Sequence, residues 1–194
     1  MWIKHALVLG GAALVFVGGV QADEPDFYQY WGDGKAEISS YEVVQMRYGE
    51  AREGRGVLVF VTEDINRKTL VKVESPTPAA DRLYTLKLNN VLKFNTGIYD
   101  YSVMTSVFSQ VQGEAGDFAV QKITFSAQEW CGHVFEEVRR ETGKLHGELN
   151  SYFEREGKQD YSMDLPEDFA SGDNLLIRLR ELRGPIMEEG EEVS

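Results

Sequence analysis

Arg82-Leu83-Tyr84-Thr85-Leu86-Lys87-Leu88-Asn89-Asn90-Val91-Leu92-Lys93-Phe94, followed by Asn95-Thr96-Gly97 and then Ile98 to Val111, is the stretch that decides the fold. Leu83, Thr85 and Lys87 share one parity while Tyr84, Leu86 and Leu88 share the other, so the segment reads as a strand with one well-filled face. Gly97 accepts the positive backbone angle that a tight hairpin requires. Val103, Thr105 and Val107 then keep a single register as the chain returns. Two long strands joined this way commit the chain to an antiparallel sheet.

Outward from this hairpin the same pattern recurs. Upstream, Lys35 to Arg47 reads as a long strand, Ala51 to Gly54 as a tight connection, and the continuously apolar Val57 to Val61 as a central strand covered on both faces. Glu63 to Arg67 reads as polar turn, and Thr69 to Val73 as a short strand ended by Ser75-Pro76-Thr77-Pro78. Downstream, Gln112 to Asp117 is loop, and Phe118 to Val138 forms one or two extended stretches. Turns at Glu141 to Lys144 and at Gly157 to Asp160 lead into strands at Leu145 to Arg155 and Tyr161 to Met163. Near the end, Asp173 or Asn174 caps a helix whose Leu175, Leu176, Leu179 and Leu182 share a face before Gly184-Pro185 stops it, with a strand over Leu175 to Leu179 as the alternative. The expected fold is mainly β: a single antiparallel sheet curved into a half-barrel or open barrel, with a short C-terminal helix.

The ends carry a different signal. Lys4, the apolar run Ala6 to Val17 and the small residues around Val20-Gln21-Ala22 have the order of a secretory signal peptide, and the run is too short for a permanent membrane span. The expected organisation is a leader at 1–22, one β-rich domain at 23–187 and an acidic, solvated tail at 188–194. The aromatic start of the mature chain, with Phe27, Tyr28, Tyr30 and Trp31, is expected to be pinned to the body. No cysteine follows the apolar run, so the expectation is a soluble periplasmic or secreted protein of the cell envelope and not a lipoprotein.

Composition narrows the function classes. A hydrophobic fraction of 42% and an aromatic fraction of 11% belong to a folded domain. A formal charge of -12 without a basic stripe disfavours nucleic-acid binding. Cys131 is the sole cysteine, which excludes an intramolecular disulfide.

Two segments could carry chemistry. In Ser126 to His133, extended backbone would set Glu129, Cys131 and His133 on one face: a thiol, an imidazole and a carboxylate that could form an activated nucleophile or ligate a metal. Same-parity neighbours on a strand lie roughly 6.5–7 Å apart, too far for the nucleophile–base hydrogen bond. Further metal ligands are scarce, since the mature chain has only His133 and His146 as histidines. The plainer reading is a buried structural thiol beside Trp130. In the second segment, Asn95 to Ser106, Tyr99, Tyr101 and Met104 alternate with hydroxyls and Asp100, a composition that can line a groove, with Trp130 as a further liner. A half-buried strand with its turn explains the same residues without a ligand. No cofactor motif is present: neither G-x-S-x-G, H-E-x-x-H nor a phosphate-binding loop occurs.

Several blocks, Lys35 to Glu42, Arg47 to Glu50, Val57 to Asp64, Leu86 to Asn89, Asn95 to Ser106 and Gln128 to His133, resemble a family of uncharacterised exported bacterial proteins. The resemblance runs from Trp31 to about Arg183 and implies no established activity. Similar sequences sometimes bear the label septum formation inhibitor, a name of cytoplasmic nucleotide pyrophosphatases whose Ser-Pro-Arg-Arg motif this chain lacks, so that function is not transferred. The resemblance also implies longer relatives with further strands, and hence a sheet that leaves a groove open here.

The leading expectation is therefore non-catalytic: binding of an apolar or amphipathic ligand or partner segment, such as a lipid, a lipoprotein or an envelope peptide. The alternatives are an exported hydrolase or thiol-dependent transferase using Cys131 and His133, and an assembly subunit that pairs through an exposed strand edge.

Overall fold

The hairpin turns set the architecture. In the computed structural model, which describes residues 24–113, 116–166, 169 and 171–181, β1 (Glu37–Arg47) and β2 (Glu50–Asn66) are joined by only Tyr48 and Gly49. Both residues sit at positive φ, 56° and 77°, and two such residues reverse the chain with the right-handed twist of the flanking strands. β3 (Arg82–Thr96) and β4 (Tyr99–Gln110) are linked by Gly97-Ile98, with Gly97 at φ 63°. β5 (Ala119–Glu129), β6 (Gly132–Glu141), β7 (Lys144–Ser151) and β8 (Lys158–Asp164) continue the meander.

All eight strands are antiparallel in one sheet whose spatial order is the chain order, β1 to β8. β1 and β8 do not pair, so the sheet is open. The mainly β fold with a short C-terminal helix is as expected. The leader, the acidic tail and Leu182 lie outside the described residues.

Strand register divides the side chains between two faces. On one, Phe60, Leu86, Leu88 and Val107 bury together, and α1 (Glu24–Trp31) contributes Phe27 and Trp31 while α2 (Leu175–Arg180) contributes Ile177. The aromatic N-terminal segment is thus pinned down, as a helix. The other face carries a smaller cluster, Ile65, Leu70, Leu83 and Phe108, beneath the β2–β3 connection. There Lys122 is buried, donates to the Leu70 carbonyl and lies 4.5 Å from the centre of the Phe108 ring, with Glu137 at 3.8 Å. Burial holds the Lys122 ammonium below its ordinary pKa, because desolvation disfavours the charged form.

Four local expectations are corrected. Ala51 to Gly54 is strand, the turn being Tyr48-Gly49; a Cβ at Gly54 would stand 2.5 Å from the Lys93 carbonyl, so this glycine permits close strand approach. Glu63 to Asn66 is strand too, because cross-strand partners absorb the charges: Lys87 Nζ lies 3.1 Å from Glu63, and Arg82 donates to Asp64 at 2.9 Å. Val57 to Val61 is interior but second from the edge, and only Phe60 within it is fully buried. Thr69 to Val73 supplies a single bridge, Ile65 to Lys72, since Leu70 at φ 52° breaks the extended path as its side chain turns inward.

The helix forms over the expected span, but its buried stripe differs. Leu175 and Leu179 are exposed, whereas Asn174 and Ile177, three apart and therefore on one face, are buried. Asn174 does not cap the helix with its side chain; it accepts the Ser109 hydroxyl at 2.7 Å and donates to the Phe118 carbonyl at 2.9 Å. Two further contacts tie the first and last parts of the described chain together. Trp31 Nε1 donates to Glu181 at 2.8 Å, and the Arg180 guanidinium grips both Glu37 oxygens, the closest contact being 2.7 Å. This pairing holds the Glu37 carboxyl below its ordinary pKa.

Candidate functional site

At the far end of the face covered by α1 and α2 lies a cavity of about 440 Å³. Its walls come from β1 (Arg47), β3 (Leu92, Phe94), β4 (Tyr101, Val103), β5 (Phe125, Ala127, Glu129) and β6 (Val134). Phe153 and Glu156, from the β7–β8 connection, complete it. Residues from the first strand and from the last connection can share one cavity only if the sheet curls around it, which is the curvature expected of an open barrel.

Tyr101 organises this site. Its ring stacks on Phe94, with centroids 4.7 Å apart and planes 9° from parallel. Its hydroxyl lies 3.0 Å from the Tyr48 hydroxyl, and the Glu129 carboxylate is a further electrostatic neighbour. The Arg47 guanidinium sits over both rings, 4.7 Å from Tyr48 and 5.2 Å from Tyr101. Burial, followed by the neighbouring Glu129 carboxylate and Tyr48 hydroxyl, pushes the Tyr101 phenol up to about 12, so it stays protonated across the neutral range. These contacts also account for Tyr48, a non-glycine residue held at positive φ, because the surrounding structure over-determines its position.

The cavity thus combines an apolar wall of Leu92, Val103, Phe125, Ala127 and Val134 with a polar corner of Arg47, Tyr101 and Glu129. It can enclose an apolar group and hydrogen-bond a polar one. Of the residues singled out in the sequence, Tyr101 and Glu129 line it. Tyr99 is exposed and meets exposed Trp130 edge-on, with ring centres 5.4 Å apart. Met104 pairs with Val91 and Ser126 on the opposite face of the sheet. Arg47 and Tyr48 carry no local signal of a site, although Arg47 to Glu50 is one of the blocks that resemble the exported family.

The segment Ser126 to His133 is not continuously extended. Trp130 and Cys131 are the two-residue turn between β5 and β6, with Glu129 opposite Gly132 and Gln128 opposite His133. Glu129 and His133 consequently project from opposite faces. Cys131 is exposed, which corrects the expectation of a buried thiol: a hairpin tip has no second layer to cover it. The one group of ligating side chains with near-metal spacing among the described residues is His146, Glu148 and Asp160, whose ligating atoms lie within 4.8 Å of one another. The carboxylates approach different nitrogens of the imidazole, Glu148 Nε2 at 3.6 Å and Asp160 Nδ1 at 3.8 Å, and both are exposed. No single nitrogen of the ring therefore faces both carboxylates.

Fold and site together define an open antiparallel sheet with a mostly apolar cavity at one end. No described helix is long and apolar enough to cross a membrane. Comparisons of the chain with protein-family models, with curated proteins and with solved structures returned no match.

Proposed function

We propose that the chain is an exported, non-catalytic binding protein of the cell envelope, working in the periplasm or after secretion, that holds an amphipathic ligand in the cavity at the open end of the sheet. The observation that carries this reading is the lining. A volume of about 440 Å³ falls within the roughly 300–1,000 Å³ common for small-molecule sites, and such sites pair mostly apolar walls with a few convergent polar groups. The apolar part of the ligand packs on Leu92, Val103, Phe125 and Val134, and its polar end meets Arg47, Tyr101 and Glu129. A lipid, the acyl chain of a lipoprotein or an envelope peptide with one large apolar side chain has this chemistry.

A thermal-shift panel of these ligand classes against wild type and Ala127→Trp tests the proposal, because an indole at Ala127 fills the cavity. The expected result is stabilisation of wild type by at least one class and its loss in Ala127→Trp. Stabilisation by none of them, or equal stabilisation of both proteins, overturns the reading. An exported thiol-dependent enzyme is not favoured, since Cys131 stands at an exposed tip outside the cavity lining.

A further inference from the structure

Among the described residues, the outer edge of β1 is long, regular and almost unguarded. All eleven residues from Glu37 to Arg47 pair with β2 in unbroken register, and among the described residues β2 is the only strand beside it. Such an edge presents a row of unpaired backbone donors and acceptors that proteins ordinarily blunt with charges, proline, bulges or shortness. β8, at the other edge, has seven residues, of which Lys158, Asp160 and Asp164 are charged. β1 has no proline, lysine or bulge. Glu37 is held by Arg180, and Arg47 is drawn over Tyr48 and Tyr101, which leaves Glu42 as the one charge along the edge not drawn inward. Ile38 and Val44 stand 67% and 68% exposed beside it, with Tyr41 and Met46 also exposed.

The geometry points to a second copy of this chain as the occupant, added edge to edge about a two-fold axis through Tyr41. Antiparallel partners project to the same face, so a pairing that keeps like faces together joins odd residues to odd and even to even. A two-fold axis then falls on a residue. An axis at Glu42 would set that carboxylate against its own copy, which is unfavourable. An axis at Val43 places Glu42 against Val44 and leaves Ile38 unmatched. An axis at Tyr41 sets the two tyrosines together, Ile38 against Val44 on both sides of the axis, Ser39 against Val43, Ser40 against Glu42 and Glu37 against Gln45. This register opposes no like charges from Glu37 to Gln45, and it covers the two most exposed aliphatic side chains of the strand with each other. The result is a continuous sheet of two copies; Gln45 and Met46 of the edge also line the cavity, but the pairing is argued from the β1 edge and not from what the cavity holds.

Sedimentation velocity on the purified chain, expressed from its full sequence and followed from low micromolar concentration upward, reads the oligomeric state. The expected result is a concentration-dependent dimer that Val44→Lys converts to monomer; Val44 is exposed, and an unchanged circular dichroism melt checks that the variant folds. Register is read by oxidative cross-linking in a Cys131→Ser background. Tyr41→Cys is expected to link, since opposed residues bring their Cβ atoms within about 5 Å. Val43→Cys is expected not to, because its two copies would stand four residues apart, roughly 13 Å. A monomer at every concentration overturns the proposal, including one that pairs its edge with an added extended peptide instead. Cross-linking through Val43 and not Tyr41 overturns the Tyr41 axis.

Discussion

Replacing Tyr101 with phenylalanine keeps the stack on Phe94 and removes only the hydroxyl that meets Tyr48. A hydrogen bond between neutral groups contributes about 0.5–1.5 kcal/mol, so near neutral pH Tyr101→Phe is expected to lower stability by roughly 1 kcal/mol. The pH dependence provides a sharper signature. The folded phenol ionises at about 12, whereas in the unfolded chain it ionises near its ordinary value of 10.0. A raised folded pKa contributes stability that is fully present below the unfolded value and is lost as pH rises through the folded one. Between these two values the unfolded state has released a proton that the folded state keeps, so stability falls by about 1.4 kcal/mol per pH unit from this group alone. Phenylalanine has no such proton. In urea unfolding measured from pH 8 to pH 12, the stability of Tyr101→Phe relative to wild type is therefore expected to rise by roughly 2–3 kcal/mol, so that the deficit reverses at the alkaline end. A deficit that stays constant across this range would refute the buried position of the hydroxyl.

Ile177 is fully buried between α2 and the sheet, and Ile177→Ala is expected to cost about 2–5 kcal/mol in guanidinium unfolding. Two glycine-to-alanine changes should both destabilise. At Gly147 a Cβ would lie 2.1 Å from the Tyr161 ring, which is fixed by its 2.5 Å bond to Glu136, and at Gly132 it would lie 2.8 Å from the Tyr152 Cβ, which no side-chain rotation moves, so each is expected to cost about 1–3 kcal/mol in thermal melts. Glu37 is held below its ordinary pKa by Arg180, so it contributes stability above its unfolded pKa that is lost as pH falls through the depressed folded value; Glu37→Gln should flatten the acid limb of the stability curve. The Cys131 thiol of native protein should react fully with a thiol reagent without denaturant, one equivalent per chain.

The parts of the fold legible in the sequence were those governed by local geometry. Alternation through Arg82 to Phe94 and the turn at Gly97 need no distant partner to be recognised, and they gave the central hairpin within two residues of its ends. Misreadings arose where a distant residue decides the outcome. Glu63 and Asp64 are turn-forming in isolation and become strand only because Lys87 and Arg82 arrive from β3. Leu175 and Leu179 look like the buried side of a helix, but Asn174 finds Ser109 and Phe118 on the sheet, and this turns Ile177 inward instead. The candidate site shows the same division. Tyr101 lay in an aromatic, hydroxyl-rich segment and could be flagged, whereas Arg47 joins it only through the curl of the sheet, which no local spacing encodes. Cys131 and His133 drew attention by composition, and a two-residue turn separated them.

The contacts of Trp31 with Glu181 and of Arg180 with Glu37 have a temporal consequence. Every strand pairs with its neighbour in sequence, so a chain emerging N-terminus first can lay down hairpin after hairpin as it appears. The residues that receive α2, including Trp31, Glu37 and Ser109, must wait with their partners missing until Asn174 to Glu181 arrives. The fold is therefore latched by nearly the last of its described residues, and until these have docked the strands stand as an unlatched sheet.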